Sequence, residues 1–419
     1  MAEFDFGPGS GLAMVAERRK GKGSKGPTSK RRLSAVISLV LVFLLAGALL
    51  CLARPSDGGV SEPVFEESPS VPPDLCVEIT KVDRRIYESL FVEGVPERNV
   101  LFTAVEPREE RGLEWEFTEM LIRVPEGSIA VRIEESVHRA VSSLEPGVKL
   151  RKEQIGGRET VWHVFTLGCY THRIRVAAEE TPKMPQAGLP PKIAIVIDDL
   201  GYDLEIARAF MQLEIPVSLS VLPSAPHAPL IARETQERGY DVLLHLPMEA
   251  KRSHRVSMGP GGLMTRMKED AVRQILKAHF RRIPGVRGVN NHMGSKYTEL
   301  EEGMSVVFSE LKGRGLFYLD SRTTPRSVAA TLGKRMGVPV VTRSVFLDNQ
   351  LSSAALRFQT DRLLGIARHA SYAVGIGHPH RETLRSLKEN IPRMRNEAQI
   401  VPVSEIAVGL RGMPAAQHP

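Results

Sequence analysis

The chain has 419 residues, 42% of them hydrophobic and 25% charged, so it holds enough apolar side chain to bury a core, and disorder over its whole length is excluded. The length suits two folded domains with extensions. The net charge of +7 suggests an anionic partner only until it is located: residues 1–32 carry eight Lys/Arg against three acids, a net +5, and residues 33–419 are close to neutral. No nucleic-acid-binding surface is expected from such a balance.

The basic tail, residues 1–32, runs into Leu33–Ala53, 21 residues without a charge. As a helix this segment spans roughly 30 Å, the thickness of a bilayer's hydrocarbon core. The basic flank would stay cytoplasmic and place everything after Ala53 across the membrane. In a bacterium that means a single-pass inner-membrane protein with its bulk in the periplasm. The alternative is a cleaved signal peptide, which would leave the protein secreted. Leu50 stands before Cys51, where a lipoprotein needs a small residue. Residues 54–73, rich in Pro, Ser, Gly and Glu, read as a linker. Cys76 and Cys169 both fall in the exported part, where a disulfide between them and two buried free thiols are equally compatible.

Residues 74–180 read as a small α+β domain of about four strands and two or three helices. Helical spacing is seen in Arg84–Phe91 and Ile129–Leu144, and alternation in TVWHVFTL and HRIRVAA. Glu114, Glu116, Glu119, His163 and His172 lack the spacing of a site and are expected on solvated strand faces. A Pro-rich hinge over 181–192 marks the next boundary.

Over residues 190–408 the pattern changes. Seven short apolar runs recur (IAIVI, VSLSVL, YDVLLHL, VRGVNN, GLFYLD, VPVVT and YAVGIG), separated by stretches of helical period. This predicts parallel strands with crossover helices, apolar on both faces because both are covered. A barrel of this kind gathers its chemistry at the carboxyl ends of its strands. Six of the seven strand ends carry a metal-binding or titratable side chain: Asp198-Asp199, His245 with Glu249 four residues on, Asn290-Asn291-His292, Asp320-Ser321, Asp348, and His378 with His380. Each alone has an ordinary explanation as a cap, a turn or a core histidine. Their common placement is what points to a site.

Two histidines and a carboxylate with an open position suit a catalytic divalent metal, zinc above all. Asp199, His245 and His292 could supply them, with Glu249 a rival third ligand if LPME begins a helix. Asp198 is placed to take a proton from water, His378 to protonate a leaving group, and Asp320 to hold the tautomer of His378. Asn290, Asn291, Ser295, Asp348 and His380 are left to line the substrate side. This assembles into hydrolysis of an amide or ester.

The motifs IDDLG, HLPME, NNHMGS, DSRT after LFYLD, and GIGHPH, in this order over about residues 190–406, resemble the divergent polysaccharide deacetylase family. That resemblance implies a (β/α)7 deacetylase-like barrel, with Asp198 as general base, Asp199 as a metal ligand and His378 as general acid. His245 and Glu249 match the family's His-x-x-x-His/Asp position, but Glu departs from it, and His292 is the alternative. The implied activity is N- or O-deacetylation of a cell-envelope polysaccharide or peptidoglycan-type glycan. A second expectation, from a different class, is a non-catalytic envelope protein whose barrel binds glycan or protein. A third is a metal hydrolase of another bond, such as a peptide or phosphoester. No basic cluster suited to phosphate surrounds the motifs, and KRSHR (251–255) reads as a solvated loop.

Overall fold

The computed structural model describes residues 73–410 apart from 126, 157–158, 180–189 and 252–256. The span expected over 33–53 lies outside the described residues; among those described, no helix is long and apolar enough to cross a membrane.

Two helices, α1 (Pro73–Val92) and α2 (Ser128–Ser142), cover one face of a sheet made of β1 (Val100–Glu110), β2 (Leu113–Pro125), β3 (Val148–Ile155), β4 (Glu159–Thr166) and β5 (Cys169–Glu179). The strand order is β1-β2-β5-β4-β3. Only β2 and β5 pair in parallel. Val82, Ile86 and Leu90 of α1 and Ile133, Val137 and Val141 of α2 recur every four residues, which places each trio on one face of its helix. Both trios join Met120, Ile122 and Ile174 in one core. The sheet has one strand more than expected, because β1 and β2 carry rows of Glu and Arg that disguise their alternation.

Glu114, Glu116 and Glu119 are partly buried and paired rather than on a solvated face, which corrects the expectation. Glu116 accepts from Arg343 Nη1 at 3.0 Å and Arg362 Nη1 at 3.3 Å. Glu114 meets the ammonium of Lys251 at 3.1 Å, so Lys251 is no solvated residue either; residues 252–256 of that loop lie outside the described ones. His172 is fully buried, 3.1 Å from Asp83, and His163 bonds Glu153 and Tyr170. Cys76 is exposed, Cys169 is buried, and both are free thiols.

The second sheet is parallel throughout its path: β6 (Lys192–Leu200), β7 (Ser218–Val221), β8 (Val242–Met248), β9 (Gly288–Met293), β10 (Phe317–Asp320), β11 (Val340–Thr342), β12 (Val345–Phe346), β13 (Tyr372–Gly377) and β14 (Gln399–Ile400). Its order is β11-β10-β9-β8-β7-β6-β13-β12, with β14 beside the start of β6. All seven apolar runs are strands, joined by α3 (Leu204–Met211), α4 (Ala228–Glu237), α5 (Glu269–Arg282), α6 (Glu301–Arg314), α7 (Ala329–Met336), α8 (Ser353–Ala370) and α9 (Arg381–Glu397), before a last helix, α10 (Val403–Leu410). This is a curved, half-barrel α/β sheet. Its path ends at β11 and β12, which only Arg343 and Ser344 separate. Arg343 N–H donates to Asp320 O at 3.0 Å and Ser344 N–H to Val374 O at 2.8 Å, so one short segment touches both flanks.

Alternation sorts each strand onto two faces. Ile193, Ile195, Leu219, Leu244, Tyr318, Val345 and Ala373 pack under the helices. Ala194, Val196, Leu243, Leu319, Phe346, Val374 and Ile376 form a separate core with Ile406 of α10. The second face carries the site at its carboxyl end.

Gly201 closes the IDDLG motif with φ +140°, and a Cβ there would lie 2.3 Å from the Cβ of Ala225. Gly201→Ala therefore combines strain with overpacking and is expected to cost about 2–4 kcal/mol in denaturant unfolding. An unchanged midpoint and slope would contradict this account of the turn.

Candidate metal centre

Strand β6 delivers two neighbouring carboxylates to one place. Consecutive strand residues normally point to opposite faces, yet Asp199 has φ +55°, and the β6–β7 register shifts between Ile197 and Leu200. Asp is among the few side chains that enter this left-handed region readily. The break in alternation lets Asp199 join Asp198 on the second face, where both are buried.

Strands β8 and β9 supply the rest. His245 pairs in register with Asn290, and Pro247 with His292. His245, Asn290 and His292 thus share a face, and Asn291 takes the other. Asp199 Oδ1 lies 2.9 Å from His245 Nε2 and 2.9 Å from His292 Nδ1. Donor atoms of the three residues fall within 4.8 Å of one another. Those contacts have hydrogen-bond length but not hydrogen-bond direction: both Asp199 oxygens and His292 Nδ1 are buried with no hydrogen bond. Buried polar atoms are rarely left so. Lone pairs converging on one point are what a cation requires, and ligands of a tetrahedral zinc stand roughly 3.3 Å apart for bonds of about 2.0 Å. The residues present fit a divalent metal.

Asn290 organises this arrangement. Its amide Nδ2 donates to Asp198 Oδ1 at 2.8 Å and Oδ2 at 2.9 Å. Its Oδ1 accepts from His245 Nδ1 at 3.0 Å and from Ser220 Oγ at 2.5 Å. A proton on His245 Nδ1 leaves the Nε2 lone pair facing Asp199. Burial raises the pKa of Asp198, against the opposing pull of His245 and His378. Burial would raise that of Asp199 too, but the imidazoles of His292 and His245 outweigh it and hold the carboxyl well below its usual range.

On the far side stands His378, at the end of β13. Asp348 grips it twice: Oδ1 accepts from Nδ1 at 2.8 Å and Oδ2 from the backbone N–H at 2.6 Å. Thr383 Oγ1 also donates to Asp348 Oδ2, at 2.7 Å. These donors outweigh burial and lower the pKa of Asp348. The Phe346 ring lies beside the imidazole, 5.9 Å between centroids.

Several expected roles are corrected. Asp320 does not hold His378; Asp348 does. Asp320 shares the parity of Tyr318, which packs under the helices, and its Oδ1 accepts from Arg322 N–H at 2.9 Å. Burial raises its pKa. Glu249 is not in the trio, because β8 stays extended through Met248 and LPME begins no helix. Its Oε1 takes Lys296 Nζ at 2.6 Å, and its Oε2 takes Thr265 N–H at 2.6 Å and Thr265 Oγ1 at 2.8 Å. Asn291 spends its amide between β9 and β10, donating to Met293 O at 2.7 Å and accepting from Tyr318 Oη at 3.1 Å and Ser321 N–H at 3.0 Å. Ser295 Oγ accepts from Lys251 N–H at 3.0 Å and is buried. His380 is half-buried at the N-cap of α9, its ring 6.4 Å from that of His378. Ser220 was missed, although the SLSV alternation puts it on the site face.

A sequence profile of the divergent polysaccharide deacetylase family matches residues 195–407. The uncharacterized protein YibQ of Escherichia coli (strain K12) is 34% identical over 218 residues, which cover 52% of this chain and 68% of that protein. An uncharacterized protein of Haemophilus influenzae is 33% identical over 210 residues, covering 50% of this chain and 74% of that one. Among solved structures, the uncharacterized protein ATU2773 from Agrobacterium tumefaciens C58 superposes with a TM-score of 0.50 at 22% identity, over 54% of this chain and 92% of its own.

The two candidate third ligands separate in a zinc titration by calorimetry. His292→Ala is expected to weaken binding on the order of 100-fold or more. Glu249→Gln should leave affinity within about twofold while costing about 1–3 kcal/mol of stability through the Lys296 and Thr265 bonds. The reverse ranking would make Glu249 the ligand.

Proposed function

The chain belongs to the divergent polysaccharide deacetylase family, and from that premise we propose that it is a metal-dependent hydrolase removing N- or O-linked acetyl groups from a cell-envelope carbohydrate, a polysaccharide or peptidoglycan-type glycan. The single observation that carries this reading is the convergence of Asp199, His245 and His292 beside Asp198, with the Asp348-held His378 close enough for its charge to act on Asp198. A (β/α)7 barrel is supported by the link at Arg343-Ser344, which brings the two ends of the parallel path onto one segment. The charge-free stretch 33–53 and its basic flank support an inner-membrane anchor with the barrel in the periplasm.

Asp199, His245 and His292 would hold the cation, and two imidazoles with one carboxylate favour zinc. When bound, it supplies Lewis acidity to the acyl oxygen and makes water easier to deprotonate. Asp198 accepts the proton of the attacking water at a carboxylate oxygen, and its burial strengthens it as a base. Asn290 fixes that carboxylate through both oxygens. His378, its Nδ1 occupied by Asp348, delivers a proton from Nε2 to the leaving amine or alkoxide. The tetrahedral carbon thus forms between a base on β6 and an acid on β13, strands that pair directly.

Asp198→Asn keeps the shape of the side chain and its place beside Asn290. Acetate release from acetylated glycans is expected to fall on the order of 100-fold or more while zinc content stays stoichiometric. Zinc-loaded wild type that releases no acetate from amide- or ester-linked substrates would leave a glycan-binding, non-catalytic barrel as the correct reading.

A further inference from the structure

The five-stranded sheet reaches the strand-end face of the parallel sheet through buried charge. Glu116, on β2, is largely buried between two guanidiniums, those of Arg343 and Arg362. Arg362 Nη2 also donates to Thr118 Oγ1 on the same strand, at 2.7 Å. The Glu116 carboxylate offsets the cost of burying the Arg343 guanidinium, so removing it weakens one of the contacts that hold Arg343 in place.

Arg343 begins the segment that builds the surroundings of His378. Its Nε donates to Ser321 O at 2.8 Å. Its guanidinium carbon sits 3.8 Å from the centre of the Phe346 ring, the ring that lies beside His378. Two residues further on, Asp348 grips His378 at Nδ1 and at its backbone. Both groups that orient the imidazole therefore lie within five residues of the arginine that Glu116 holds. A cavity of about 20 Å³ borders Glu116, Arg343 and Phe346, room for roughly one water.

We propose that Glu116 is a positioning residue for the reaction: acting through Arg343 and Phe346, it makes the N-terminal sheet part of the catalytic site by fixing the imidazole of His378. The proposal rests on the reading of His378 as the proton donor.

The test uses the full chain labelled with 15N-histidine, the His378 ring signals being assigned by their loss in His378→Gln. Glu116→Ala should shift and broaden those signals. It should also lower kcat for acetate release by about tenfold, with KM and zinc stoichiometry unchanged. Glu116→Gln, which keeps an acceptor, should fall between the variant and the wild type. A folded Glu116→Ala protein with a lower melting temperature but wild-type His378 signals and kcat would reduce Glu116 to a structural contact and overturn the proposal. If Glu116→Ala does not fold, the same signals in Glu116→Gln decide. If the wild type releases no acetate, the enzyme reading fails, and the His378 resonances still show whether Glu116 positions the ring.

Discussion

Two adjacent carboxylates buried at the end of one strand are the constraint around which the site is arranged. Burial penalises both anions, and each penalises the other, so they cannot persist in equivalent surroundings. Asp198 is given the neutral amide of Asn290, and burial keeps its pKa raised. Asp199 is given two imidazoles and stays anionic. Environment alone thus separates a carboxylate ready to take a proton from one committed to charge. The left-handed turn at Asp199 is what brings both to the same face.

Much of this was legible from the chain. The seven apolar runs are strands, and the placement of polar residues at their ends marks the face on which chemistry gathers. Strand-end position was too coarse to assign roles, because it ignores which face a side chain takes. Parity within each strand separates Asn290 and His292 from Asn291. It also aligns Asp348 with Phe346 and His378 with Ile376, both in the inner core, and sets Asp320 with Tyr318 beneath the helices. Glu249 misled for a related reason: a four-residue spacing from His245 means one helical turn only where the backbone is helical, and β8 remains extended there. The partners that no local pattern reveals are the distant ones. Asp348 and His378 are 30 positions apart, and Glu116 and Arg343 are 227 apart; such pairs exist only once the sheets have formed.

The acidic rows of β1 and β2 illustrate the same limit. In sequence they look like a solvated face, since charged residues are rarely buried without partners. Here the partners come from the loops and helix α8 around the parallel sheet: Lys251 lies between Glu109, Glu114 and Glu299, and Arg343 and Arg362 flank Glu116. Several charges of β1 and β2 are therefore partly buried and paired, whereas +5 of the net +7 resides in residues 1–32 beside an apolar stretch.

The proposed metal centre takes two imidazoles, from β8 and β9, and a carboxylate from β6. X-ray absorption spectroscopy on the zinc-loaded full-length protein tests it most directly. The expected result is a shell with two imidazole scatterers and the remaining ligands oxygen, at about 2.0–2.1 Å, reduced to one imidazole in His292→Ala. A wild-type shell with a single imidazole, or no stoichiometric metal after loading, would contradict it.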